Sequence, residues 1–215
     1  MSRIYLIPGL GADSRIYKNI SLPGHEVIEV NWITPNPTDT LTTYAQKLID
    51  QYHISGNSVV IGNSMGGMLA IEIGKLVSLE KIILISSIRT VDEAPGYFKL
   101  FRTIPVYKAV PDKFFSAADF FIEIIFGKMS DKEKDIFKDM LKNASPEFMK
   151  WAMGAILHWD NKIIPPNVYQ ISGDKDLVFP YENLKDAIIV KGGTHIMIFD
   201  MAPQINKLLN DILNK

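Results

Sequence analysis

Hydrophobic and polar positions divide the chain into two kinds of run. Short runs that are almost entirely apolar, such as RIYLIPG at 3–9 and KIILISSI at 81–88, are typical of strands buried on both faces of a sheet. Longer runs such as 38–54 carry apolar residues at intervals of three and four, which predicts an amphipathic helix. Strands are predicted at six places in total: 3–9, 25–32, 58–61, 81–88, 167–173 and 187–193.

The order of these runs indicates the fold class. Helical segments follow the first three predicted strands, near 14–20, at 38–54 and from Met65 onward, and a last one closes the chain. Nearly continuous apolar strands that alternate with amphipathic helices favour a parallel sheet with helices on both faces. At 215 residues the chain is long enough for a single α/β domain with a substantial core.

One long segment interrupts the alternation. Residues 90–160 contain no run of the strand type and carry helical signals instead, such as Ser145 followed by Pro146, a helix cap and first position. Nine of the eleven phenylalanines also fall in this segment, so it has apolar surface of its own. We therefore expect a core formed by 1–89 and 161–215, with a helical insertion at 90–160 between the fourth and fifth strands.

The phenylalanines of the insertion have two possible uses. Most are expected to form the core of a helical subdomain. Side chains of adjacent residues on a helix point about 100° apart, so the pairs Phe114–Phe115 and Phe120–Phe121 cannot all point the same way. We expect some of these four rings to line a substrate pocket instead.

Composition and charge exclude several classes of function. The 23 basic and 24 acidic residues nearly cancel, which argues against nucleic acid or an anionic membrane as partner. The sequence has no cysteine, which excludes disulfides, thiol catalysis and zinc sites built on sulfur. The apolar run near the N-terminus is too short for a signal peptide, and no run is long enough to span a membrane. We expect a cytoplasmic protein that acts on a small molecule.

The stretch GNSMG at 62–66 lies where the third strand passes into a helix. A G-x-S-x-G pattern in that context holds the serine on a tight turn, with its hydroxyl projecting above the sheet. The following helix, which begins at Met65, directs backbone N–H groups toward an anion formed beside the hydroxyl. Ser64 is therefore a candidate nucleophile; the alternative is a glycine-rich turn with an incidental serine.

Three other loops follow strand ends, where open parallel sheets place their sites. PGLGAD at 8–13 follows the first strand, and its glycines allow the backbone N–H of Leu10 to face the serine. The loop after the fifth strand offers Asp174 and Asp176, and the loop after the sixth offers His195. The order Ser, Asp, His, each past a strand end, is that of a nucleophilic triad.

Together these motifs resemble the α/β-hydrolase fold superfamily, over essentially the whole chain. The resemblance implies that Ser64 is the nucleophile, His195 the general base and Asp176 the acid that orients the histidine. The family's acid usually lies three residues after the glycine that ends the strand, here Gly173, which makes Asp174 the second choice. Some members carry the acid after the fourth of these strands, where this chain has Asp92 and Glu93.

The same resemblance implies an oxyanion hole formed by the amides of Leu10 and Met65, and a lid formed by the insertion at 90–160. It also implies a six-stranded, all-parallel sheet that lacks the first two strands of the full fold. The C-terminal segment is similar to that of small methylesterases and hydroxynitrile lyases. The chain departs from the common family pattern at Pro8, where histidine usually precedes the oxyanion loop, and at Asn63, where histidine often precedes the nucleophile.

The identity of the nucleophile narrows the chemistry. Haloalkane dehalogenases and epoxide hydrolases of this fold use aspartate at the turn, which Ser64 excludes. A serine activated by histidine and aspartate suits acyl transfer through a covalent intermediate, with no cofactor or metal. We expect hydrolysis of a small, neutral, apolar carboxylic ester. The alternatives are a lyase or cofactor-free oxygenase that uses the same residues as acid and base, and a ligand-binding protein with little or no turnover.

Overall fold

The computed structural model describes residues 1–104 and 131–215. In these parts of the chain six strands form one sheet in the order β2-β1-β3-β4-β5-β6, and every neighbouring pair is parallel. The prediction of a six-stranded parallel sheet is confirmed. The strands are β1 (Arg3–Ile7), β2 (Glu26–Glu29), β3 (Ser58–Asn63), β4 (Lys81–Ile85), β5 (Val168–Gly173) and β6 (Ile188–Val190).

Helices cover both faces of the sheet, as predicted. In β1, Tyr5 and Ile7 belong to the hydrophobic layer under the helices Leu41–Tyr52 and Met65–Leu76, whereas Ile4 and Leu6 belong to the opposite layer under the helices Met197–Asp200 and Ala202–Leu213. This alternation follows from the two-residue period of a strand. The helices are α1 (Leu41–Tyr52), α2 (Met65–Leu76), α3 (Tyr97–Thr103), α4 (Asp131–Asn143), α5 (Pro146–Leu157), α6 (Met197–Asp200) and α7 (Ala202–Leu213).

The strand order places a reversal of the winding direction between β1 and β3. The chain passes from β1 to β2 on one side and then returns to lay β3 on the other side of β1, with Ile7 paired to Gly62. Open α/β sheets form their ligand sites at such a reversal, beyond the carboxyl ends of the strands. The loop at 8–13 and the turn at 62–66 both leave the sheet at this point.

The described part of the insertion is helical, and its local signals act as predicted. The Ser145 hydroxyl accepts a hydrogen bond from the Phe148 amide at 3.2 Å, and Pro146 is the first residue of α5. Of the described rings, Phe98, Phe137 and Phe148 are buried. Phe114, Phe115, Phe120 and Phe121 lie outside the described residues, so their pocket role stays a prediction, as does the division of the chain at 90 and 160.

Four strands are clearly shorter than the sequence pattern indicated: the runs 3–9, 25–32, 81–88 and 187–193 form Arg3–Ile7, Glu26–Glu29, Lys81–Ile85 and Ile188–Val190. The apolar run at 81–88 predicted a strand over its whole length, but β4 ends at Ile85. Ser86 has a φ of 49°, in the left-handed region, which turns the chain out of the sheet. Within the described residues, no helix is both long and apolar enough to cross a membrane.

Candidate active site

Ser64 occupies a strained turn between β3 and α2. Its φ of 53° and ψ of −119° belong to neither strand nor helix and are rare for a residue with a side chain. A Cβ atom at Gly62 would collide with the backbone oxygen of Gly66, and one at Gly66 would collide with that of Ile7. Both obstacles are backbone atoms of packed elements, so only glycine fits on either side of the serine.

The three side chains predicted to form a triad lie in one hydrogen-bonded row. Ser64 Oγ is 2.9 Å from His195 Nε2, and His195 Nδ1 is 3.0 Å from each carboxylate oxygen of Asp176. Because an ionised carboxylate only accepts hydrogen bonds, Nδ1 carries the proton and Nε2 is left to accept from the serine hydroxyl. Asp176 and His195 are each only 5% exposed, so water competes little for these bonds.

Asp176 is held ionised by its surroundings. Its Oδ1 also accepts hydrogen bonds from the amides of Val178 and Phe179, both at 2.9 Å. Burial acts to raise the pKa of Asp176, but the attraction of His195 and the hydrogen bonds from His195, Phe179 and Val178 outweigh it. The pKa of this carboxyl therefore lies below its ordinary value of 3.8. An ionised, buried carboxylate beside the imidazole favours a proton on Nδ1.

The other candidate acids have different partners. Asp174 Oδ1 accepts a hydrogen bond from the Gly192 amide at 2.6 Å, which ties the loop after β5 to the loop after β6. Glu93 is buried and forms an ion pair with Arg89 at 2.6 Å, and Asp92 is exposed. Of the four carboxylates considered, the structure brings Asp176 alone into hydrogen-bond contact with His195.

The two predicted oxyanion residues belong to segments that border Ser64. A Cβ atom at Gly9 would lie 3.1 Å from the Cβ atom of Ser64, so the loop after β1 runs directly against the serine. Leu10 lies in that loop, and Met65 is the first residue of α2. Within the described parts of the chain, neither backbone N–H donates to a protein acceptor. Amides at a helix start lack partners inside the helix and are available to an anion.

A cleft of about 930 Å³ reaches the loop after β1, but Ser64, Asp176 and His195 do not line it. It separates the loop after β2 from α5 and is lined by the aromatic side chains of Trp32, Phe148 and Trp151. Gly11, next to the predicted oxyanion residue Leu10, is part of its lining, whereas Ser64 is not. In the described residues no group of three or more His, Asp or Glu side chains is arranged to hold a metal ion.

Ser87 and Glu72 are buried polar residues that no motif in the sequence marks. The Ser87 hydroxyl donates a hydrogen bond to the backbone oxygen of Ser64. Glu72 is fully buried in α2 and accepts hydrogen bonds from Thr42, Lys75 and Trp159 at 2.7–2.9 Å. It thereby joins α1, α2 and the end of the insertion. The one sequence signal for Glu72 is its position as a lone charge inside the apolar run MLAIEIG.

Residues 4–207 match the alpha/beta hydrolase family. The chain matches no curated protein. Among solved structures, it is similar to the esterase EaEST from Exiguobacterium antarcticum, with a TM-score of 0.78 and 19% identity over 100% of this chain and 92% of that one. It is also similar to the enol-lactonase from Burkholderia xenovorans LB400, with a TM-score of 0.75 and 18% identity over 100% and 92% of the two chains. At such low identity these similarities establish the fold.

Proposed function

The chain belongs to the alpha/beta hydrolase family, and on that premise we propose that it is a serine hydrolase that cleaves carboxylic esters through an acyl-enzyme on Ser64. The observation that carries this proposal is the hydrogen-bonded row of Ser64, His195 and Asp176. Ser64 itself lies at the reversal point of the sheet, on the turn between β3 and α2. A serine placed within 2.9 Å of an imidazole nitrogen that is free to accept its proton has the geometry of an activated nucleophile.

The proposed reaction has two stages. In the first, Ser64 Oγ attacks the ester carbonyl carbon while His195 Nε2 takes its proton, and the carbonyl oxygen becomes an oxyanion. The amides of Leu10 and Met65 stabilise that charge. The intermediate collapses as the alcohol departs with the proton from Nε2. In the second stage water, deprotonated by the same nitrogen, attacks the acyl carbon to form a second oxyanion. As that intermediate collapses, Nε2 returns the proton to Ser64 Oγ, which leaves, and the acid is released.

Asp176 serves this cycle by holding the histidine. Its carboxylate keeps the proton on Nδ1 and stabilises the imidazolium that forms each time Nε2 takes a proton. The buried position of the pair strengthens that interaction, because fewer water molecules screen it. Every step uses groups of this chain alone, so the mechanism requires no cofactor or metal.

The substrate that we propose is a neutral ester with a small or medium apolar part. The near balance of charge offers no general attraction to an anionic substrate. The aromatic lining of the cleft between the loop after β2 and α5, and the phenylalanines of the insertion at 90–160, favour apolar groups. We propose that this insertion is a lid over the site and that the protein acts in the cytoplasm. Similarity to an esterase and an enol-lactonase agrees with an ester substrate.

The proposal is tested by labelling and turnover of Ser64→Ala. We expect the wild type to gain one phosphonyl group from a fluorophosphonate probe, and to hydrolyse p-nitrophenyl acetate. Ser64→Ala should remain folded, should not be labelled, and should lose activity by about 10⁴-fold or more, since no other group replaces the nucleophile. Wild-type activity in Ser64→Ala would disprove the assignment.

The same experiment separates the other classes of function. A protein that is labelled at Ser64 but does not turn over aryl esters is a binding protein or a very slow enzyme. Absence of both labelling and ester turnover in the wild type would favour acid–base chemistry without an acyl-enzyme, as in a lyase.

A further inference from the structure

Ser87, two residues after the end of β4, is a buried residue that contacts the backbone of Ser64, the candidate nucleophile. The Ser87 hydroxyl donates a hydrogen bond to the backbone oxygen of Ser64 at 2.6 Å, and Ser87 is fully buried. The same oxygen accepts hydrogen bonds from the amides of Gly67 and Met68 at 2.9 and 3.3 Å, in the first turn of α2. Ser87 therefore adds a third donor, from a different element, to the residue that carries the candidate nucleophile.

The third glycine of the sequence GNSMGG makes this contact possible. A Cβ atom at Gly67 would lie 2.5 Å from both the Cβ and the Oγ atoms of Ser87. Glycine at 66 is required by the end of β1, as described above, whereas glycine at 67 is required by Ser87. The motif of the turn therefore extends one residue beyond G-x-S-x-G, to leave room for the hydroxyl of Ser87 in the segment after β4.

Ser87 is itself held on both sides. The Gln170 side-chain amide donates to the backbone oxygen of Ser87 at 2.9 Å and to Glu93 at 3.0 Å, and Glu93 is paired with Arg89. This network is buried, so each of its polar groups is costly to leave without a partner. The backbone of Ser87 is thus fixed between the core strand β5 and the segment after β4.

The same turn also approaches the loop that carries the histidine. Ser86 Oγ lies 3.5 Å from the backbone oxygen of Thr194, the residue before His195. The pair Ser86–Ser87 therefore lies between the serine turn and the histidine loop, and contacts the backbone of both.

We propose that Ser87 is a positioning residue, which fixes the backbone of Ser64 and through it the distance from Ser64 Oγ to His195 Nε2. This inference rests on the proposed function. The φ of Ser64 is one that residues with side chains rarely adopt, so the turn relaxes toward an ordinary conformation unless neighbouring groups hold it. Relaxation would rotate the Cα–Cβ bond and move the hydroxyl away from the histidine. Nucleophilic attack is very sensitive to such a displacement.

The experiment compares Ser87→Ala with Ser172→Ala. Ser172 is a matched control, because it is also fully buried, and its hydroxyl has no hydrogen-bond partner within residues 1–104 and 131–215. At a temperature well below unfolding, we expect Ser87→Ala to lower kcat by about 10- to 100-fold with KM changed by less than about twofold, as displacement of a reacting group does. The rate of phosphonylation should fall in parallel. Ser172→Ala should keep the wild-type kcat, KM and labelling rate.

The possible outcomes distinguish the positioning role of Ser87 from the proposed function of the protein. A Ser87→Ala protein that is labelled and turns over at wild-type rates overturns the positioning role and leaves the assignment of Ser64 intact. A wild type that neither reacts with the probe nor turns over esters overturns the proposed function instead. If Ser87→Ala does not fold, Ser87→Cys gives the same comparison, since a thiol of similar size is only a weak donor. A reduced kcat at unchanged KM in that variant supports the role, and a wild-type kcat overturns it.

Discussion

At the scale of single residues, the loop after β5 presents two carboxylates in different surroundings. Asp176 is buried, accepts two backbone N–H groups and contacts His195. Asp174, two positions earlier, is partly exposed and accepts the Gly192 amide. The first arrangement orients a side chain, and the second connects two loops.

Replacement of the two aspartates one at a time tests this difference. Asp176→Asn should lower kcat by about 10⁴-fold, because an amide can donate to Nδ1 and so favours the wrong tautomer of the imidazole. Asp174→Asn, the matched control, should lower kcat by less than about 10-fold, since its hydrogen bond lies outside the row. Steady-state hydrolysis of p-nitrophenyl acetate measures both. A larger loss in Asp174→Asn would make Asp174 the acid, and no loss in either would redirect attention to Asp92 and Glu93.

At the scale of elements, the turn from β3 to α2 is held by contacts with β1 as well as by its own sequence. A Cβ atom at Gly66 would collide with the backbone oxygens of Ile7 and Pro8. Ile7 is the last residue of β1, and Pro8 directly follows it. Neither strand nor helix can move away without loss of sheet pairing or packing. The conformation of the serine turn is therefore coupled to the stability of the core.

Gly66→Ala should destabilise the whole protein as well as its site. We expect the free energy of unfolding to fall by at least about 1–3 kcal/mol, the usual range for overpacking of a close contact. Gly96→Ala is the control, because Gly96 has an ordinary φ of −58° and a Cβ atom there meets nothing within 4 Å in the described residues. Its effect should stay below about 1 kcal/mol. Urea unfolding followed by circular dichroism compares the two, and equal stability would contradict the collision.

At the scale of the whole molecule, the helical insertion contacts the core through its C-terminal part. Trp151 in α5 donates its indole N–H to the backbone oxygen of Asp39 at 2.8 Å, and Trp159 donates to the buried carboxylate of Glu72 at 2.8 Å. The cleft lined by Trp32, Phe148 and Trp151 lies between α5 and the loop that carries Asp39. The boundary between the insertion and the core is thus held by these two hydrogen bonds and also contains an open cleft.

A series of p-nitrophenyl esters from acetate to decanoate tests whether the insertion determines which acyl chain length the protein prefers. Each added methylene should raise kcat/KM by the equivalent of up to about 0.8 kcal/mol until the pocket is full. Single changes of the predicted pocket rings to alanine should shift the optimum chain length; the rings are Phe114, Phe115, Phe120 and Phe121. Phe137→Ala is the control, since Phe137 is a buried ring of the insertion and should affect stability only. A flat profile, or one that no change alters, would show that these rings are core.

The sequence by itself determined the architecture of this protein to a large extent. All six strands were predicted, and for β1, β3 and β4 the reason is that a strand buried on both faces must be apolar along its length. The edge strand β2 is mostly exposed and carries two glutamates. Helical caps such as Ser145 with Pro146 act within a few residues, so they are also readable without a structure. The parallel sheet then explains why Ser64, Asp176 and His195, far apart in the chain, lie near one another. Each follows a strand end, and those ends share one edge.

Tertiary structure alone decided the finer points. Whether Asp174 or Asp176 contacts the histidine depends on the path of one loop, which no periodic pattern encodes. The contact between Ser87 and Ser64 and that between Trp159 and Glu72 join residues 23 and 87 positions apart. A buried hydroxyl or carboxylate needs a partner, but its sequence does not say which neighbour provides it. A hydrogen bond forms only when donor and acceptor lie within a range of a few tenths of an ångström. The packing of the helices and turns on the sheet therefore decides which neighbour becomes the partner.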